Sequence, residues 1–220
     1  MAATLERDTV EYTDVAARVR KASRPAHQAA ETRGFVTRLM GGELSLDAYT
    51  HYLAQFAWIY EALEGRSRLA SDPAIFDPAL DRFAAIESDL RALGVTDWRT
   101  EYPMLPATAA YVARLEAVRD SSVPYLAHHY TRYLGDLSGG QAIAALVARH
   151  YGATPEQLSF YNFSDLGSPV RYKESYREQM NTFGLDEAGI DELIAEVAIS
   201  FELNSALFDE LGQQQDNSAR

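Results

Sequence analysis

The sequence contains no cysteine. That absence removes disulfides, thiolate metal sites, iron–sulfur clusters and cysteine nucleophiles together, and leaves His, carboxylate, Tyr and Met as the available metal ligands. It also predicts a reducing, cytoplasmic setting. Long apolar runs are missing as well. Nothing approaches the ~18 consecutive apolar residues of a membrane span, and no secretion-type leader opens the chain, so no membrane anchor is expected. Positive charge is scarce: 20 Lys and Arg stand against 32 Asp and Glu, a net charge of −12. A surface this acidic cannot neutralise a run of phosphates, which excludes generic nucleic-acid binding. Several catalytic signatures are lacking too. No Glu is followed three positions later by His, and His-Glu-x-x-His, the P-loop and Gly-x-Ser-x-Gly are absent. Di-iron carboxylate bundles, zincins, P-loop NTPases and nucleophile-elbow hydrolases are therefore excluded.

What remains is a chain of 220 residues, 47% hydrophobic and 24% charged, long enough to bury a core without staples. Its apolar residues recur at helical spacing, and strand-like alternation is rare. The spacing predicts helices over about 12–30, 35–40, 45–70, 78–93, 107–119, 124–150, 170–182 and 187–211. Punctuation falls at Gly41–Gly42, Asp72–Pro73, Gly94, Pro103, Pro106, Gly152 and Gly184. Residues 1–10 and 213–220 read as loose polar ends. The prediction is a single all-α domain over 1–220.

The most informative stretch is PYLAHHYTRYLGDLSGGQAIAALVARHYG, residues 124–152. Gly135, Gly139 and Gly140 interrupt otherwise strong helix formers, at roughly 1 kcal/mol each relative to alanine. Gly135 and Gly139 are four apart and share a face. Two readings stay open at this level. One is packing: a GDLSGG turn between two helices, or a small-residue seam against a neighbour. The other is a helix whose bare backbone lies on a flat ligand, with Arg132 and Asp136 supporting a polar network beside it.

A second group is Arg20, Arg24, His27 and Glu31, spaced 4, 3 and 4 on one helical face. A carboxylate one turn from an imidazole is a common way to orient a metal-ligating His, and guanidiniums further along suit an anionic ligand. The same spacing also describes an ordinary solvated helix face. Lys173 and Arg177 repeat the basic i, i+4 pattern. His51, His128, His129 and His150 are rival ligands, although His128 and His129 point about 100° apart on a helix and cannot share one metal. Pro25, two residues before His27, predicts a kink or a restart of that helix, with Ser23 as N-cap and Arg20 displaced from the His27 face.

Taken together these residues resemble the haem oxygenase family. HHYTRYLGDLSGGQ (128–141) is similar to that family's distal-helix signature, and PAHQAAE (25–31) to its proximal-helix motif. YKESYREQMN (172–181) and FELNSALFDEL (201–211) resemble its two C-terminal signatures. The resemblance runs from about 13 to 212 and implies a soluble bacterial type. It implies a helical bundle with haem b sandwiched between a proximal helix and a kinked, glycine-rich distal helix. It implies His27 as the proximal ligand of the haem iron, with Glu31 beside it, and Gly135 and Gly139 over the haem face. Asp136 is implied as the organiser of distal waters that deliver a proton, with Arg132, Tyr60, Tyr111 and Asn204 around that network. Arg20, Arg24, Tyr130, Lys173 and Arg177 are implied as partners of the haem propionates. The implied reaction takes haem, O2 and electrons from a separate ferredoxin or NAD(P)H-dependent reductase to biliverdin, carbon monoxide and ferrous iron. A haem storage or transport protein is the alternative.

Overall fold

The computed structural model describes residues 14–31, 33–68 and 72–218, so the predicted loose arm at 1–10 lies outside the described residues. Among the described residues the secondary structure is helical, with no strand. The first helix, α1 (Val15–Glu31), contains Pro25 and nevertheless runs through it. The predicted restart does not occur: α1 is continuous through Pro25, and the Ser23 hydroxyl donates backwards to the Arg20 carbonyl at 3.5 Å. The helix start is fixed further upstream, where Asp14 accepts the Ala17 amide and Asn181 accepts the Ala16 amide, both at 2.9 Å. After α2 (Gly34–Gly41), Gly42 ends the turn at φ 76°, a left-handed conformation that favours glycine.

The central helix is α3 (Leu46–Glu64). Ser45 opens it by accepting the Ala48 amide at 3.0 Å, and Asp47 follows in the first turn. Apolar and aromatic side chains on most of its circumference are buried, among them Tyr49, Leu53, Ile59, Tyr60 and Leu63. It packs on α4 (Phe83–Ala92) along one side and on α6 (Pro106–Val118) along another. The helix ends at Glu64, short of the predicted 70, and the predicted helix over 78–93 divides into a 3-10 turn (Pro78–Leu80) and α4. The division has a local cause: Asp77 caps the short turn, and the Glu64 carboxylate takes the Arg82 and Phe83 amides at 2.6 and 3.0 Å, starting a new helix there. A short helix not foreseen, α5 (Trp98–Glu101), is capped by Asp97. Pro106 occupies the first turn of α6, where its missing N–H costs nothing.

The glycine-bearing segment is one path in three parts: α7 (Ser122–Gly135), a π-helical turn (Asp136–Gly140) and α8 (Gln141–Tyr151). A π turn widens the backbone locally and bends the path, and such turns are frequent at functional sites. The remaining helices are α9 (Pro169–Asn181) and α10 (Glu187–Ser218). The last of these overturns the prediction of a loose tail from 213. Gly212 lies against Phe35, and the Arg38 guanidinium donates to Asp216 at 2.7 Å, so α2 carries the final turns of α10. α10 packs against α7, α1, α6 and α2, and so joins the two candidate groups named above.

Candidate active site

Four elements converge under the π turn. From α3, the Tyr60 hydroxyl donates to the Asp136 carboxylate. From α7, Arg132 donates through Nη2 to Asn204 Oδ1 of α10 at 3.0 Å, and its guanidinium lies 4.7 Å from the centre of the Phe56 ring. From α6, Tyr111 lies with its ring 5.9 Å from the same guanidinium, and its hydroxyl shares a hydrogen with Ser200 of α10 at 2.8 Å. Tyr60, Tyr111, Arg132, Asp136 and Asn204 are all buried. The structure thus brings together all five polar residues proposed for a distal network.

Burial pushes the Asp136 carboxyl up to about 6, against the charge of Arg132 and the hydrogen bond from Tyr60, which pull it down. A carboxyl tuned to that range exchanges its proton near neutral pH. Burial also raises the Tyr60 phenol well above its ordinary value, reinforced by the neighbouring Asp136 charge, so Tyr60 stays a donor. Arg132 retains two buried nitrogens, Nε and Nη1, with no protein partner. A charged group with unmet donors in a buried position is unusual and directs polar ligands or water toward this network.

The three glycines separate by function. A Cβ at Gly140 would stand 2.8 Å from Tyr161 Cδ1, so this glycine is required for packing. A Cβ at Gly135 or Gly139 would meet nothing within 4 Å, and both residues are exposed. The packing reading therefore holds for Gly140 and fails for the other two. Their face is a bare strip of helix backbone beside Asp136, able to accept a flat group at close approach.

On α1, His27 is exposed, with its ring edge-on to Phe201 of α10 at 5.7 Å between centroids. Phe201 and Asn204 are three residues apart and share one stripe of α10, so the same stripe meets His27 and Arg132. Arg20 keeps its place despite Pro25: it lies close enough to the Tyr130 phenol to oppose the rise that burial imposes, as does Arg177 of α9. Lys173, also on α9, donates to the Ser138 hydroxyl at 3.1 Å and so reaches the π turn. Arg24 is exposed on α1. The Glu31 side chain lies outside the described residues. Arg20, Tyr130, Lys173 and Arg177 therefore form a basic, phenolic rim contributed by three helices.

The rival histidines are committed elsewhere. His128 pairs through Nε2 with Glu196 Oε1, and His129 through Nδ1 with the Tyr176 hydroxyl, each at 2.8 Å and fully inside the core. Burial lowers His129 to about 3, so it is neutral. His51 lies against Tyr102, and His150 packs over Gly42. Among the described residues, no three His, Asp or Glu side chains gather to hold a metal ion. Sequence reasoning missed Phe56, Phe201, Glu64 and Tyr133. The last two carried a usable signal: Glu64 is one turn after Tyr60, and Tyr133 one turn before Asp136.

Buried proton-donating groups, an exposed imidazole and a basic rim around a bare helix face define a helical protein that handles a flat anionic ligand. Comparison with known proteins supplies the family. The heme oxygenase family model matches residues 13–210. Similar relatives include heme oxygenase of Rhodella violacea, 32% identical over 205 residues, covering 90% of this chain and 87% of the relative. Heme oxygenase 1 of Gallus gallus is 34% identical over 206 residues, covering 90% of this chain and 70% of the relative. Heme oxygenase-1 of the cyanobacterium Synechocystis, solved in complex with heme, superposes with a TM-score of 0.87 at 29% identity, covering 94% of this chain and 96% of that one. The chain belongs to the heme oxygenase family.

Proposed function

We propose that the residues assembled around the π turn carry out the oxidative opening of haem to biliverdin, carbon monoxide and ferrous iron, with O2 and electrons from a separate ferredoxin or reductase. The family membership makes the chain a haem-degrading enzyme. Bound haem supplies both the ring that is oxidised and the iron at which oxygen is reduced. His27 offers an imidazole nitrogen from α1 to hold that iron from one side. Gly135 and Gly139 would cover the other face with bare backbone, leaving room there only for a small ligand. Arg20, Arg24, Tyr130, Lys173 and Arg177 would pair with the carboxylates at the ring edge and so hold its rotational setting.

Asp136 is the proton source. It sits behind the glycine strip, held by Tyr60, with a carboxyl near neutral range and the unpartnered nitrogens of Arg132 beside it. Water held between these groups and the open face relays the proton, and Asp136 takes a replacement through the same network. Storage or transport would need the rim and the imidazole but no tuned carboxyl. The pairing of an open glycine face with a buried Tyr60–Asp136–Arg132 network is the observation that carries the enzymatic reading.

Absorbance titration with hemin, followed by ascorbate or a ferredoxin system in air, tests it. A saturable Soret band that decays into biliverdin absorbance is the expected result. A Soret band that survives both reductants overturns the catalytic reading in favour of storage.

A further inference from the structure

Between α3 and the glycine-bearing helix the same chemical pair occurs twice in opposite directions. Tyr60 on α3 donates to Asp136 on the π turn, and Tyr133 on α7 donates to Glu64 on α3, at 2.9 Å. Tyr60 and Glu64 are one turn apart on α3, and Tyr133 and Asp136 one turn apart on the facing helix, so the two pairs are successive rungs of one ladder. The rings of Tyr60 and Tyr133 meet edge-on at 5.9 Å, and Tyr133 is 1% exposed. The second rung is anchored at a third point, because Glu64 also takes the Arg82 and Phe83 amides at the start of α4. The mechanism above uses only the first rung.

We infer that Glu64 and Tyr133 are positioning residues for Asp136: the second rung fixes the Tyr133 ring, the Tyr133 edge fixes Tyr60, and Tyr60 fixes the proton-donating carboxyl. The anchor gives the arrangement its stiffness. Glu64 satisfies two backbone donors and one phenol at once, so its carboxylate has no room to turn. The neighbouring charges are consistent with this placement. Burial pushes the Glu64 carboxyl up to about 7, while the two amides and Tyr133 work against that rise. The groups that act on Asp136 are Tyr60, Arg132 and, further off, Arg82, with the phenols of Tyr52, Tyr111 and Tyr161 around them. The second rung meets Tyr60 through the Tyr133 ring and Arg82 only through its backbone amide, a contact that Tyr133→Phe leaves in place.

The inference rests on the proposed role of Asp136, and its test is read on the haem-free full-length chain. Carboxyl-carbon NMR of 13C-aspartate-labelled protein, with Asp136→Asn as the assignment control, gives the titration midpoint of Asp136. Tyr133→Phe deletes the second hydrogen bond while keeping the ring and both Glu64 caps. We expect the Asp136 midpoint to rise in this variant, because a less constrained Tyr60 stabilises the carboxylate less. Glu64→Ala should raise it further, and Glu64→Gln, which keeps one oxygen for Tyr133, should restore part of the change. An unchanged midpoint in a Tyr133→Phe variant with parental circular dichroism and melting behaviour overturns the inference. Because Tyr133→Phe disturbs no cap, it decides the matter even where Glu64→Ala does not fold. Failure of the parent chain to convert haem would instead count against the function, and leaves the NMR result to be read by itself.

Discussion

Asp136 and Glu196 are both buried carboxylates beside the same helix, and they are tuned in opposite directions. Burial raises both. At Glu196 that rise is outweighed by hydrogen bonds from His128 and Arg114, which hold the carboxyl down at about 2. At Asp136, the Arg132 charge and one phenol offset only part of it, and the carboxyl stays at about 6. The difference lies in the donors. A carboxylate given two nitrogen donors becomes a permanent charge that ties α7, α10 and α6 together. One given a phenol and a guanidinium turned mainly toward Asn204 keeps a proton it can release. The same path thus carries a fixed hydrogen-bonded contact at His128 and, about two turns later in the π turn, a carboxyl that titrates near neutral pH at Asp136.

The largest effect expected from breaking this contrast is at Asp136. Asp136→Ala should retain haem, seen as a normal Soret titration, and lose biliverdin formation by about 100-fold or more, the usual scale for a lost general acid. Turnover at the parental rate would remove Asp136 from the mechanism. At Glu196 the loss should be in stability. Glu196→Ala leaves His128 buried with neither ring nitrogen paired and should cost about 2–3 kcal/mol in a denaturant melt, discounted because Arg114 can turn to solvent. Its activity, measured where the fold is intact, should stay near parental.

The pH dependence sharpens the comparison with opposite signs. Glu196 has a depressed carboxyl, so its contribution to stability is present above the ordinary value of 4.5 and is lost as pH falls toward about 2. Asp136 has a raised carboxyl, so its contribution is present below 3.8 and is lost as pH rises through about 6. Asp136→Asn should therefore gain on the parent between pH 4 and 7, by on the order of 3 kcal/mol at the upper end. A stability difference that stays flat over this range would contradict the buried, proton-holding carboxyl. The smallest effects concern the backbone. Gly140→Ala should destabilise by about 1–2 kcal/mol through collision with Tyr161, whereas Gly139→Ala should melt no lower than the parent, up to ~1 kcal/mol more stable, yet bind hemin more weakly. Equal melting points for the two variants would erase the distinction between packing and ligand-facing glycines.

Much of this was legible in the chain. Helix positions followed from apolar spacing and caps such as Ser45. The i, i+4 relation of Arg132 to Asp136 and of Gly135 to Gly139 is a property of helical sequence alone. What escaped was contact between helices. Pro25 predicted a kink or a restart, but α1 runs without a restart from Val15 to Glu31 and packs on α10. Residues 213–220 read as a polar tail, yet α10 runs to Ser218, the last described residue, because Asp216 pairs with Arg38 across 178 positions. The long helix predicted to 70 stops at Glu64 with Gly65 as its C-cap, and the Glu64 side chain caps the next helix instead, a contact 18 and 19 positions away.

The sequence by itself determined the helical class, the exclusion of thiolate chemistry, and the helical spacing that puts Arg132 one turn from Asp136 and Gly135 one turn from Gly139. Side-chain chemistry and helical period are local, and both are written in the order of residues. Only the tertiary structure decided which glycine packs and which lies open, which histidines are spent in the core, and why one buried carboxyl titrates at about 6 while another stays charged until pH falls toward about 2. Those outcomes depend on which donors arrive from helices tens of residues away, and on how much water their packing excludes.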